Sequence, residues 1–428
     1  MKCRPVGKGN ENDIAPEAEK GSRAFRCIYG ENKKLYFEVA DVSIKRKLEY
    51  TLKHTPWILN TFIGVGSAFF KTVGLFVKTD PNLILFTSFS GKQYNDSPKA
   101  IYEYLRSIPE GKSFKYVWAF EHPEDFSQLD CEKVKIDTWQ YFITTLKAKY
   151  WVTSVNIERG LKYKKKNTFY LNTWHGASIN LVGNAVAGRN DFRWDHINRF
   201  CISGNYERSF VERDFCVKPE SLLLSGLPRN DELYHVTTEK IQTLRKRLNV
   251  PEGKKVILYA PTWRESTDGG ASCDLKPPID LDKWKERLGK DCVVFIRAHV
   301  NTREMLGIKY DDVIRNGSDY PAVNDLLMMA DFLISDYSSI IMDYCILGRP
   351  IVCFGYDYEE YNKARGGFYF DLDKEIPSGV RHTEDDVLDY ILNTNYSVEC
   401  EKVKKFRNDH IEFGGEATKI CVEEILKW

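Results

Sequence analysis

Two consecutive series of short β-rich runs, each alternating with helical stretches, limit most strongly what this chain can fold into. The first series holds 83–86, 116–120, 150–154, 168–172 and 199–203, and the second holds 256–260, 292–298, 311–315, 332–335 and 351–354. Helical stretches such as 97–106 lie between them. Strands that alternate with helices pair in parallel, because each right-handed crossover returns the chain to the same end of the sheet. The expectation is α/β: two doubly wound sheets, each of the kind that binds ligands beyond the carboxyl ends of its strands. The break between them is placed at 228–250, where Gly226 and Pro228 interrupt the pattern before a helix over 239–248. At 428 residues the chain also exceeds one ordinary core. The charged stretch 383–428 reads as helices packing back on the body.

Charge narrows the partners. Lys+Arg 62 against Asp+Glu 61 leaves a net charge of +1, so no global field draws in nucleic acid, and any polyanion or membrane must meet a local patch. The eleven cysteines are dispersed, with no C-x-x-C pair. Cys201, Cys292, Cys345 and Cys353 sit in apolar runs, where a reduced thiol acts as a small hydrophobe, and a reducing cytoplasm fits. Residues 1–23 are polar and lack the apolar core of a secretory signal. They open an N-terminal extension taken to run to residue 48.

The segment 49–82 stands apart. Its stretch 57–77 is long and apolar enough to suggest a membrane span. Wound as a helix, it places Lys53, Asn60, Gly64, Ser67, Lys71 and Lys78 in one stripe, while Trp57, Phe62, Phe69 and Phe70 lie on the remainder. A Lys71 at mid-membrane costs about 2.5–3.5 kcal/mol on insertion scales. A helix lying flat keeps Lys71 wet and sinks Trp57, Phe62, Phe69 and Phe70 among acyl chains. Lys45, Arg46 and Lys47 add attraction to an anionic membrane surface. The alternative is a buried hairpin of two core helices broken at Gly64-Val65-Gly66.

Chemistry concentrates at strand ends. In 332–354 a short apolar strand ends at Asp336, Ser338 and Ser339 open a helix, and Gly348 closes it. Capping alone accounts for a serine there, yet two hydroxyls and free amides at the edge of a parallel sheet also suit a diphosphate. His175 and His299 each follow a strand, one in each half, and a cleft would bring them face to face. Arg297 shares the strand side of His299, and the pair could neutralise a diphosphate without a metal. The acidic pairs Asp280/Asp282 and Asp371/Asp373 resemble short metal-holding motifs, but Asp282 also reads as a helix cap. No P-loop, HExxH, GxSxG or GxGxxG is present, which removes the usual anchors of ATPase, zinc-protease, hydrolase and dinucleotide readings. Lys162, Lys164, Lys165 and Lys166 form a basic knot that is either a solvated loop or a handhold for anionic polymer or lipid.

Six ordered motifs carry a resemblance: Gly-Lys-Gln-Tyr-Asn-Asp-Ser-Pro at 91–98, Asn-Thr-Trp-His-Gly at 172–176, Gly-Leu-Pro-Arg-Asn-Asp at 226–231, Tyr-Ala-Pro-Thr-Trp-Arg at 259–264, Arg-Ala-His at 297–299 and Ser-Asp-Tyr-Ser-Ser at 335–339. From residue 82 onward the chain resembles the CDP-glycerol glycerophosphotransferase family, teichoic acid polymerases and primases among them. The resemblance implies a GT-B-like fold, with an acceptor-side domain at 83–238, a CDP-polyol domain at 239–412 and a C-terminal helix at 413–428. It further implies His175 as general base, His299 on the donor phosphates, and Ser338, Ser339 and Asp336 at the diphosphate. Arg229, Asp231, Thr262 and Arg264 would line the donor cleft. No cofactor or metal is expected beyond the donor itself.

The expected activity is transfer of glycerol phosphate, or ribitol phosphate, from a CDP-polyol to an undecaprenyl-diphosphate-linked acceptor at the cytoplasmic membrane face. A GT-B glycosyltransferase using a nucleotide sugar is the alternative, and a non-catalytic surface module ranks last because both histidines remain.

Overall fold

The computed structural model describes residues 18–20, 23–29, 35–41, 56–186, 189, 192–262, 278–298 and 308–428. The chain divides into two units, Met1–Gly66 with Trp263–Lys276, and Ser67–Thr262 with Pro277–Trp428. In the first, β1 (Ala18–Lys20), β2 (Arg23–Tyr29) and β3 (Leu35–Asp41) form a small antiparallel sheet with Phe25 opposite Val39. The sequence reading assigned no element there.

The second unit holds two parallel sheets. One contains β4 (Asp80–Thr87), β5 (Lys115–Phe120), β6 (Glu132–Lys135), β7 (Ala148–Thr153), β8 (Phe169–Asn172), β9 (Arg199–Ile202) and β10 (Leu222–Leu224), in the order β10-β9-β8-β7-β4-β5-β6. The other contains β11 (Lys255–Tyr259), β12 (Cys292–Ile296), β13 (Ile314–Asn316), β14 (Phe332–Ser335), β15 (Ile351–Phe354) and β16 (Val380–Arg381), in the order β13-β12-β11-β14-β15-β16. Helices cover both faces, so the central strands are apolar on either side, and Ile84, Leu85, Phe86, Val256, Ile257 and Leu258 are buried. Three short strands, β6, β10 and β16, escape a reading by hydrophobic run: Glu132 and Lys135 are charged, Leu222–Leu224 is only three residues long, and Val380–Arg381 only two. Cys201, Cys292, Cys345 and Cys353 are buried thiols within this core.

Each sheet reverses direction once. In the first the chain moves outward from β4 through β5 to β6, then restarts beside β4 at β7. In the second it moves from β11 to β13, then restarts beside β11 at β14. At such a reversal two neighbouring crossovers leave on opposite faces, and a crevice opens beyond the strand ends.

The apolar segment forms one helix, Pro56–Phe76, that runs unbroken through Gly64 and Gly66, which removes the hairpin alternative. Its last turns also correct the expected stripe. Ser67 is buried and accepts the Lys162 amide at 2.9 Å. Phe70 turns inward, its ring 4.3 Å from Phe142 and 5.3 Å from Tyr163, so it anchors the helix to the body rather than facing outward. Leu75 and Phe76 remain 82% and 84% exposed, and Trp57, Phe62 and Phe69 are exposed too. The basic knot packs beside this anchor: Lys165 donates to the Val77 carbonyl, and the Tyr163 and Lys164 amides donate to Glu158.

Candidate active site

The loop after β8 builds the first half of the site. Asn172 accepts the Trp174 amide at 2.8 Å and donates to the Val155 carbonyl at 3.0 Å, which curls the chain back over the end of β7. Trp174 is thereby held at φ +53°, a conformation that strains a bulky residue. The next residue, His175, is delivered to the reversal point: its Nδ1 donates to the Ser154 carbonyl at 2.9 Å. A carbonyl can only accept, so Nδ1 carries the proton and Nε2 is the basic nitrogen of the neutral ring. The Trp174 ring lies 3.9 Å from the imidazole and the Phe89 ring 5.6 Å. Burial pulls the His175 pKa below the ordinary imidazole value; the Ser154 bond and Asp96 oppose that, and Arg229 adds to it. The ring is therefore neutral, and able to accept a proton, at physiological pH.

Gly176 lets the second half approach. At φ +148°, a Cβ there would lie 2.8 Å from the Ser339 hydroxyl and 3.3 Å from Arg229 Nη2. Farther along the same loop, Asn180 donates to the Tyr337 carbonyl at 2.8 Å. His175 and the Ser338-Ser339 turn are thus brought together through one loop.

At the second reversal point Asp336 follows β14 and Thr262 follows β11. The Thr262 amide donates to both Asp336 oxygens at 2.9 and 3.0 Å, its hydroxyl donates to the same carboxylate, and the Tyr337 amide donates at 2.7 Å. Ser338 accepts the Ile340 amide at 3.3 Å, whereas Ser339 forms no side-chain cap bond. Both serines are half-buried. Asp336 thus ties the two central strand ends together, and the serines stand beside it.

Other expected donor residues also have partners within the protein. Arg229 is a half-buried cross-link: it donates to Asp343 at 2.7 Å and to the His175 carbonyl at 2.9 Å, and pairs with Asp96 at 3.5 Å. Burial alone would pull its guanidinium pKa down, but Asp343 and Asp96 together raise it. Asp231 departs from the expected cleft role, because its carboxylate accepts the Ala417 and Thr418 amides at 2.9 and 2.7 Å and caps the helix Ala417–Lys427. Arg297 donates to the Gly317 and Tyr320 carbonyls at 2.9 and 2.7 Å, and burial lowers its pKa. His299 and Arg264 lie outside the described residues. The two acidic pairs are local caps: Asp280 accepts the Asp282 and Lys283 amides, and Asp371 the Asp373 and Lys374 amides. Asp96 and Asp343 were not singled out from sequence, where a buried carboxylate looks like any helix-turn Asp.

A conserved-domain model described as CDP-Glycerol:Poly(glycerophosphate) glycerophosphotransferase matches residues 69–427, which contain both reversal points and the His175 loop. The chain belongs to this glycerophosphotransferase family. A teichoic acid glycerol-phosphate transferase of Staphylococcus aureus (strain NCTC 8325 / PS 47) is 32% identical over 79% of this chain and 92% of its own length. A teichoic acid poly(glycerol phosphate) polymerase of Staphylococcus epidermidis is 34% identical over 70% of this chain, and the match spans 44% of that longer polymerase. A solved structure of the wall teichoic acid polymerase TagF, in a variant with asparagine for one histidine, superimposes with a TM-score of 0.73 at 28% identity, covering 90% of this chain and 98% of that one. The same TagF variant has been soaked with CDPG.

Proposed function

We propose that this glycerophosphotransferase moves glycerol phosphate from CDP-glycerol to the terminal hydroxyl of a lipid-linked acceptor in teichoic acid synthesis, and that an undecaprenyl diphosphate carries that acceptor. The observation that carries the reading is a neutral, Nδ1-protonated His175 beside the Ser338-Ser339 turn. His175 Nε2 takes the hydroxyl proton as the acceptor oxygen bonds to the glycerol-bearing phosphorus, the bond to the bridging oxygen breaks, and CMP leaves with that oxygen. A positioned base of this kind contributes about 10²–10⁴-fold. Ser338, Ser339, Arg297 and His299 are assigned to the diphosphate, where hydroxyl and cationic donors offset the charge that builds on the phosphate oxygens. Family membership and the CDPG-soaked TagF structure support the donor.

In this GT-B-like arrangement 83–238 forms the acceptor side, 239–412 the CDP-polyol side and 413–428 a C-terminal helix. The helix Pro56–Phe76 lies flat on the cytoplasmic membrane surface: Trp57, Phe62, Phe69, Leu75 and Phe76 face outward, Lys71 is exposed and Phe70 anchors the helix inward. Vesicle flotation checks this, and undiminished binding of a Lys71→Glu, Phe69→Asp variant to anionic vesicles would contradict it.

The reaction is tested by incubating the protein with CDP-glycerol, CDP-ribitol and UDP-sugars beside a synthetic lipid-linked primer, with mass spectrometry of the product. A mass gain of one or more glycerol phosphates, with CMP released, is expected. Transfer of a sugar instead would replace the reading with the glycosyltransferase one.

A further inference from the structure

The carboxylate of Asp96 is placed as no simple helix cap is. It opens the helix Asp96–Ser107 at φ +61°, in the left-handed region. Its side chain is only 2% exposed. One oxygen accepts the Ser97 amide at 2.7 Å and the Ser97 hydroxyl at 3.3 Å, and pairs with Arg229 at 3.5 Å. The other oxygen is buried without a hydrogen-bond partner among the described residues. Leaving a carboxylate oxygen so costs stability, and a buried group kept without a partner calls for a reason. The helix-capping Asp280 and Asp371, by contrast, sit at the surface.

The connection to His175 runs through one atom. Arg229 Nη1 donates to the His175 carbonyl at 2.9 Å and reaches Asp96 at 3.5 Å, while Nη2 of the same guanidinium is matched by Asp343 at 2.7 Å. Asp343 therefore suffices to balance Arg229. Asp96 supplies a negative charge in excess beside a neutral imidazole, and a proton arriving on His175 brings the group to balance. Among the described residues, the charged groups that face this imidazole are Asp96 from its helix and Arg229 from the 226–231 turn. Glu207 and Asp343 stand behind Arg229.

We infer that Asp96 is a positioning residue, whose buried carboxylate is the countercharge for the His175 imidazolium formed when the acceptor hydroxyl gives up its proton. The inference rests on the proposed role of His175 as base. Asp96 need not touch substrate; it acts by holding the Arg229 fork that orients the His175 backbone and by favouring the protonated ring through space.

The test is Asp96→Asn, which keeps the size, accepts the Ser97 amide and tolerates positive φ, but removes the charge. CMP release from CDP-glycerol with a lipid-linked primer is expected to show kcat down about 10²-fold with KM for the donor within about threefold. The acid limb of the kcat/KM profile should move to lower pH, because the remaining influences of burial and Arg229 both disfavour the imidazolium. In a His175→Ala background the same substitution should have no further effect. Asp96→Ser, a second neutral variant, should move the acid limb the same way. An unmoved limb, a change in KM alone, an additive loss on top of His175→Ala, or failure of both variants to fold would each overturn the inference. Wild-type transfer and its loss in His175→Ala are read in the same assay, so failure of the parent reading registers separately.

Discussion

At the reversal point of the first sheet, His175 is held by the Ser154 carbonyl, Arg229 and two aromatic rings. At that of the second, Asp336 binds the amides of Thr262 and Tyr337, and the serines beside it keep part of their surface free. The first arrangement fixes one nitrogen of one ring in orientation and tautomer, as a base requires. The second fixes backbone and leaves two half-buried serine hydroxyls beside it, which suits a ligand that arrives and departs with each turnover. In the proposed reaction the first edge would carry the chemistry and the second the exchange of donor.

That contrast can be broken in three places. Arg229→Met removes the cation between Asp343 and Asp96 and leaves two carboxylates unmatched. A loss of about 3–5 kcal/mol in stability is expected by urea denaturation. A loss near zero would mean that the first edge is not built on that cross-link.

Glu207 sharpens the same edge. Burial raises its carboxyl pKa from 4.5 to about 7, against the Ser203 amide that donates to it at 2.5 Å. The folded state therefore holds the proton more tightly than the unfolded chain, so this contribution to stability is full below about pH 4.5 and is lost as pH rises through about 7. Glu207→Gln should remove that slope and stabilise the protein at pH 8 by on the order of 3 kcal/mol. Chemical denaturation at pH 5 and pH 8 reads both signs.

The smallest effect belongs to the second edge. Replacing Ser338 and Ser339 together with Ala should raise KM for CDP-glycerol about tenfold, or about 1.4 kcal/mol, while stability stays within about 0.5 kcal/mol. A collapse in stability without a change in KM would make them caps alone.

Much of this fold was legible because parallel strands buried on both faces write themselves as apolar runs: 332–335 and 351–354 were read to the residue as β14 and β15. The strands that were missed are charged, as Glu132 and Lys135 in β6 show, or too short to stand out, as the three leucines of β10 and the two residues of β16 are. The place of His175 was legible for a related reason, since it lies just beyond a buried strand end, where the structure sets it beside the Ser338-Ser339 turn. Asp231 and Phe70 were misread because their partners are distant in sequence. Asp231 meets amides 186 and 187 residues away, and Phe70 meets Phe142, so neither burial nor direction could be inferred from local pattern. Asp96 and Asp343 went unnoticed for the same reason, as only the folded chain brings both to Arg229.

The account depends most on where the acceptor proton goes. Single-turnover CMP release from CDP-glycerol in the presence of a lipid-linked primer, measured from pH 5 to pH 9 for wild type and for a folded His175→Ala variant, addresses that directly. The account predicts a wild-type rate that rises through an apparent pKa below the ordinary imidazole value and then holds level, with the variant slower by about 10²–10⁴-fold. A His175→Ala protein that releases CMP at the wild-type rate, with the same pH profile, would contradict it.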